Sequence, residues 1–129
     1  MKKVFLVGLL GVLMLGGMCQ DAAAQTSYWA ISGVMKTQGK EWRPFVTTVV
    51  RVSCAENVNE ETVKNQFLEF YKEYVAQRTG LELRYSDIRA YRFDSQDRAD
   101  TQRRSFQDEY NRQYSNTYAV NNFSVRCRD

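Results

Sequence analysis

Residues 59–80, NEETVKNQFLEFYKEYVAQRTG, decide the fold because they predict one long amphipathic helix. Asn59 is a favourable N-cap, and Glu60 and Glu61 occupy the first turn, where acidic side chains interact favourably with the helix dipole. Gly80 suits the left-handed C-cap that ends a helix. The apolar positions recur at spacings of three and four and predict a wide face for core packing: Val63, Phe67, Phe70, Tyr71 and Tyr74.

A strand hairpin is predicted before this helix. Residues 25–36 and 43–54 are rich in β-branched and aromatic side chains, which favour strands. The turn-like sequence TQGK at 37–40 separates them. Pro44 lies near the start of the second strand, where proline is tolerated.

Further elements are predicted after the helix. Residues 81–93 carry one strand or two, since Ser86-Asp87 is either a tight turn between two strands or a bulge within one. A second helix, with a thin apolar face, follows to about residue 113. Residues 117–127 predict the closing strand, in which Phe123, Val125 and Cys127 share one face.

These elements predict a single α+β domain over residues 25–129, a two-layer sandwich in which two helices cover one face of a four- to five-stranded, mostly antiparallel sheet. A ferredoxin-like βαββαβ order plus an N-terminal strand is one candidate. That order separates the C-terminal ends of the first and last strands, which opposes a disulfide between Cys54 and Cys127. A single strand over 81–93 with parallel crossovers would bring these cysteines to one edge. Both topologies stay open at this stage.

Residues 1–24 have the pattern of a secretory signal peptide. Lysines precede an apolar run over 4–18, and small side chains lead to a cleavage site after Ala24. The run is shorter than the ~20 residues of a spanning helix, so we expect no transmembrane segment in the mature chain and a periplasmic or secreted location. Lipid attachment at Cys19 is the less favoured alternative, because Met18 replaces the small residue that normally precedes a lipidated cysteine.

Cys54 and Cys127 would be the two cysteines of the mature chain. In an oxidising compartment, an even pair predicts a structural disulfide. Their wide separation in the sequence argues against a redox-active pair, which is typically close, as in CxxC.

Composition narrows the possible functions. The chain of 129 residues contains no histidine, which removes most hydrolase triads and nearly all catalytic zinc sites. Its net charge of +3 is small for a nucleic-acid-binding protein. Neither a phosphate-binding glycine loop nor a calcium loop is present in the sequence. We therefore expect no enzyme activity, no cofactor, no metal and no nucleic-acid partner.

Arginine and tyrosine are interleaved in the second half of the chain. From residue 84 onward every basic side chain is an arginine, and both residue types are favoured at protein interfaces. The alternative is an ordinary ion-paired surface. The candidate partner-binding residues are Arg89, Tyr91, Arg103, Arg104 and Tyr110.

The sequence therefore predicts an exported, non-enzymatic domain of the cell envelope or periplasm that binds an unidentified protein. The alternative is a domain that binds an anionic envelope polymer, such as peptidoglycan or polysaccharide.

Overall fold

A computed structural model describes residues 25–37, 41–54 and 58–127. The predicted signal peptide and Cys19 lie outside the described residues. Within this part of the chain the strands are β1 (Gln25–Lys36), β2 (Trp42–Thr47), β3 (Val50–Cys54), β4 (Ile88–Phe93) and β5 (Tyr118–Val120). Helix α1 consists of an α-helical segment, a π-helical turn and a last α-helical turn: Glu60–Phe70, Tyr71–Val75 and Ala76–Thr79. Helix α2 spans Gln96–Gln113.

Strand β1 is the centre of the sheet, and its bounds agree with the prediction. One edge pairs antiparallel with β4, and the other edge pairs antiparallel with β3 and then β2. Strand β5 lies on the far side of β2 and runs parallel to it. The predicted α+β fold on a small, mostly antiparallel sheet with two packed helices is therefore confirmed.

A bulge divides the predicted second strand into β2 and β3. Ser32 pairs with Val46 but Trp29 pairs with Val50, so the β2–β3 side has one extra residue at this point. Because side chains alternate along a strand, the extra residue reverses which positions face α1. Phe45 and Val50 therefore both reach the core beneath α1.

The two helices pack on opposite faces of the sheet, which corrects the predicted two-layer arrangement. Trp29 and Ile31 of β1 belong to the core cluster beneath α1, whereas the intervening Ala30 packs in a smaller cluster with Phe106 and Tyr110 of α2. Neighbouring residues of a strand point to opposite faces. Strand β1 has apolar side chains in both alternating sets, so it is buried on both faces, and the domain has three layers.

Helix α1 is built as its sequence predicts at both ends. The Thr62 amide donates to Asn59 Oδ1 at 2.8 Å, and Gly80 adopts the left-handed conformation with φ of 70°. Phe67 is at the centre of its buried face, stacked on Phe45 at 5.0 Å and edge-on to Phe123 at 5.0 Å. These contacts join α1 to the sheet and to the C-terminal segment.

The segment between α1 and β4 decides between the two predicted topologies. Residues 81–84 form only an isolated bridge, Glu82 with Lys36, and Tyr85–Asp87 is a 3-10 turn. The additional strand that the ferredoxin-like topology requires is therefore absent from residues 81–84, because their backbone pairs with the end of β1 at one position only. Strand β4 follows as a single strand, and the crossovers through α1 and α2 connect parallel strands.

The closing strand is shorter than predicted. β5 ends at Val120, and Asn122 has a φ of 71°, which turns the chain out of the extended conformation. The following residues still pack on the core, with Phe123 buried. Cys127 forms the predicted disulfide with Cys54, with the Cα atoms 5.5 Å apart. This bond fastens the C-terminal segment beside β3 and is consistent with an oxidising environment.

Gly33 is required by close packing in β1. A Cβ atom at this position would lie 2.6 Å from the Phe45 ring and would also collide with the Asp87 carbonyl oxygen. A backbone atom cannot move away as the end of a flexible side chain can. Gly80 differs, because a Cβ atom added there would meet no atom within 4 Å. Glycine is favoured at this position by the left-handed backbone conformation alone.

Replacing both cysteines, Cys54→Ala with Cys127→Ala, should lower the free energy of unfolding by about 4 kcal/mol, because the bond closes a long loop in the unfolded chain. Urea denaturation of the oxidised wild type and the double variant measures this. Reductant should destabilise the wild type and leave the double variant unchanged. Equal stability of the two oxidised proteins would contradict the prediction.

Gly33→Ala should lower the free energy of unfolding by about 3 kcal/mol, because the new methyl group overpacks a rigid contact. Gly80→Ala is the matched control and should cost about 1 kcal/mol, from the left-handed backbone alone. Thermal unfolding of both variants tests the difference. A Gly33→Ala protein as stable as the Gly80→Ala protein would show that the close contact is absent.

Candidate functional site

Three of the five sequence-predicted residues meet on the α2 face of the sheet. The Arg89 guanidinium lies 4.6 Å from the centre of the Phe106 ring and 5.8 Å from that of Tyr91, and its Nη1 atom is 3.1 Å from Glu109 Oε2. Tyr110 is on the same helix, one turn beyond Phe106. This cluster ties β4 to α2 through cation–π contacts and one ion pair.

Arg89 and Tyr110 make most of their contacts within the domain. Tyr110 is buried, and its hydroxyl lies 3.1 Å from the Ser32 hydroxyl. Burial opposes the charge of Arg89, but the phenol groups of Tyr91 and Tyr110 outweigh it and raise the pKa of this guanidinium above its ordinary value. Arg89 therefore stays charged, and its contacts favour a structural role.

Arg103 and Arg104 do not join this cluster. Arg103 pairs with Asp100 of its own helix, with Nε and Oδ1 3.4 Å apart. Arg104 is exposed on the outer side of α2. The contacts therefore join three of the five residues, and partner binding by the five stays a prediction.

A different surface has the geometry of a binding site. An open groove of about 600 Å³ lies between α1 and the C-terminal segment that begins with β5. Its walls combine aromatic side chains with amides and charged groups on the rim, a mixture typical of recognition sites. The α1 wall includes Phe70, Glu73, Tyr74 and Arg78, and the opposite wall includes Tyr118, Asn121, Asn122 and Phe123.

Tyr74 distinguishes this groove from the other exposed aromatic positions. The large exposed hydrophobic side chains of the described residues are Trp42, Tyr74, Tyr85 and Tyr91. A lysine or arginine of the chain lies over three of these rings, those of Trp42, Tyr85 and Tyr91. Tyr74 is 55 % exposed and packs against Phe70 with the two rings tilted and their centres 5.1 Å apart. Among the described residues it is therefore the exposed ring with no cation of its own chain above it.

The C-terminal wall of the groove is held in place by a two-point contact. The Gln66 side-chain amide donates to the Arg126 carbonyl oxygen at 3.0 Å, and the Arg126 amide donates to Gln66 Oε1 at 2.8 Å. Arg126 also approaches Glu69 at 3.5 Å across exposed side chains. Together with the disulfide one residue later, these contacts define the width of the groove.

Two backbone irregularities line the same groove. The π-helical turn Tyr71–Val75 widens α1 where Glu73 and Tyr74 project. Asn122 is the single non-glycine residue of the described chain with a positive φ. Both features are uncommon and are enriched at functional sites.

Tyr71 belongs to the core and follows the groove residue Phe70 in α1. It is buried, and its hydroxyl donates to the Leu81 carbonyl oxygen. Burial raises the pKa of the Tyr71 phenol above 10.0; the hydrogen bond with Thr79 opposes this, and Tyr118 and Glu82 add to it. The phenol is therefore a neutral donor at physiological pH.

The groove was not predicted from the sequence, which assigned Phe70 and Tyr74 to the core. The structure buries Val63, Phe67, Tyr71 and Val75 and leaves Phe70 partly and Tyr74 largely accessible. The available signal was the row Phe70, Tyr74 and Arg78, which is spaced by four and flanked by glutamates. This row lies directly beside the row of buried side chains on α1. Helical periodicity alone therefore could not distinguish the accessible row from the buried row.

Comparisons with family models, curated protein sequences and solved structures gave no match. Across residues 25–37, 41–54 and 58–127, no three carboxylate or thiol groups come together as metal ligands. In the same ranges, no helix combines the length and the apolar character needed to cross a bilayer.

Tyr71→Phe should lower the free energy of unfolding by about 1 kcal/mol at pH 7, since it removes the hydrogen bond to Leu81. Because the pKa of Tyr71 is raised in the folded state, its contribution is complete below about pH 10 and is lost as pH rises through the folded pKa. The stability difference between wild type and variant should therefore shrink between pH 8 and pH 11. Urea titrations at both values measure it, and a constant difference would contradict the pKa assignment.

Proposed function

We propose that this chain is an exported, non-enzymatic protein-interaction domain whose partner binds in the groove between α1 and the C-terminal segment. The observation that carries the proposal is the exposed Tyr74 ring at the edge of the Phe70–Phe123 aromatic cluster. A rigid aromatic side chain in a concave surface is a typical anchor of a protein interface, because it buries a large area at low entropic cost.

The compartment is part of the same proposal. The predicted leader would direct the chain out of the cytoplasm, and the Cys54–Cys127 disulfide suits an oxidising environment. The disulfide also fastens the C-terminal wall, so that the groove would be formed only after oxidation of the exported chain.

The rim charges of the groove support a protein rather than an anionic polymer as the partner. Glu69 and Glu73 both line the groove on its α1 side, where they would repel phosphate or carboxylate groups of an envelope polymer. Arg78 and Arg126 balance them, so the groove has mixed charge. Mixed charge with aromatic side chains is typical of protein interfaces.

The test is affinity co-purification of the tagged protein from the envelope of its own cells, with three forms in parallel. Wild type and Tyr91→Ala should retain a stoichiometric protein partner, and Tyr74→Ala should lose it, because the removed ring is a central contact of the proposed interface. Tyr91→Ala is the matched control, since Tyr91 is an exposed tyrosine on the opposite face.

Two results would contradict the proposal. If the partner is lost with Tyr91→Ala and retained with Tyr74→Ala, the interface is the α2 face, where the sequence-predicted residues Arg89 and Tyr91 lie. If no protein is recovered and the wild type sediments with purified cell-wall material at low salt but not at high salt, the domain binds an anionic polymer.

A further inference from the structure

The groove is bordered by a sheet edge with unused hydrogen-bonding groups. Within the described residues, β5 pairs with β2 alone. The Thr48 amide donates to the Val120 carbonyl oxygen at 3.1 Å, so the backbone of Val120 is directed toward β2. Because backbone groups alternate in direction along a strand, those of Ala119 and Asn121 are directed outward.

This free edge and the exposed aromatic ring belong to one site. Ala119 and Asn121 line the groove together with Phe70 and Tyr74 of α1. Helix α1 covers the sheet face next to β5, since Val120 packs in the core beneath it. A strand added to the outer edge of β5 would therefore lie along the exposed flank of the helix, with one set of its side chains facing Tyr74.

We propose that the groove binds an extended segment of the partner protein, which adds to the free edge of β5 as a further strand and places an apolar side chain against Tyr74. This inference rests on the proposed function and names the form of its ligand. Main-chain hydrogen bonds to an edge supply affinity, and the side chains that face the helix supply specificity.

The rim charges define the sequence of that segment. Among the described residues, Glu73 and Arg78 line the groove without an ion pair in the chain, whereas Glu69 approaches Arg126. Tyr74 lies between Glu73 and Arg78 in the helix. The complementary segment therefore carries a lysine or arginine for Glu73, an acidic residue for Arg78 and an apolar residue between them. Such rim charges contribute mainly to specificity.

The short length of β5 limits the register of the added strand. Only Ala119 and Asn121 offer outward backbone groups before Asn122 turns the chain away. Two or three backbone hydrogen bonds are available at such an edge, so the affinity depends on the Tyr74 contact as well. The bound segment is therefore short, and it is recognised through both its backbone hydrogen bonds and its contact with Tyr74.

The experiment uses a displayed library of random ten-residue peptides, selected on the oxidised wild-type protein and measured against variants. Ala119→Pro removes the outward amide but keeps the β2 pairing, because proline is tolerated on an edge strand where its nitrogen faces outward. Ala119→Ser keeps the amide and is the matched control. Tyr74→Ala removes the side-chain anchor.

The selected peptides should contain the basic–apolar–acidic pattern. Ala119→Pro and Tyr74→Ala should each weaken their binding by about tenfold, with less than about twofold change for Ala119→Ser. Binding should also slow amide hydrogen exchange at Ala119 and Asn121. This second measurement uses the wild-type protein and does not depend on the folding of the proline variant.

The other outcomes separate the inference from the function on which it rests. Strand addition would be overturned if the selected peptides do not bind Tyr74→Ala, bind Ala119→Pro as tightly as wild type and leave amide exchange at Ala119 unchanged. The groove would then remain the interface. Failure to select any peptide would overturn the proposal that the ligand is an extended segment. The co-purification would still test whether the groove binds a protein partner. Peptides lost only with Tyr91→Ala would overturn both proposals.

Discussion

The pairing of β1 on both edges and its burial on both faces is the constraint on which the rest of the structure depends. Alternate side chains of this strand contribute to two separate cores, with Ile31 beneath α1 and Ala30 beneath α2. Gly33 lets the Phe45 ring and the turn at Asp87 approach the strand closely. The bulge after β2 returns the side chains of β3 to the α1 core. A shift of β1 by one residue would exchange its two faces and lose all these contacts together.

The groove follows from a mismatch between α1 and the edge of the sheet. Helix α1 is much longer than β5, so it extends beyond the three-residue strand that it covers. The chain cannot continue as a strand past Asn122 and instead crosses to α1 and β3. Gln66 and the disulfide hold it there, at a distance from Tyr74 that leaves space between helix and edge. The same contacts that stabilise the C-terminal segment therefore create an accessible concave surface.

The elements that depend on local chemistry were predictable. The Asn59 cap, the Gly80 terminus and the bounds of β1 follow from neighbouring residues. The disulfide follows from an even cysteine pair in a chain whose leader predicts export. The placement of α2 was not predictable in the same way. Apolar side chains on both faces of β1 indicate that both faces are covered, but they do not indicate which helix covers which face. The candidate site was missed for a related reason, since Tyr74 has the helical spacing of a core residue but lies in the wall of the groove, where it is exposed.

By itself, the sequence determined the α+β class, the ends of the first helix, the cysteine pairing and the absence of histidine chemistry, because each depends on residue type or short-range spacing. Only the tertiary structure decided which face each helix covers, that Arg89 is engaged by Phe106 and Glu109, and that β5 has a free edge beside Tyr74. These features depend on contacts between residues far apart in the chain. Their geometry is set by the packing of whole elements and is not encoded at any single position.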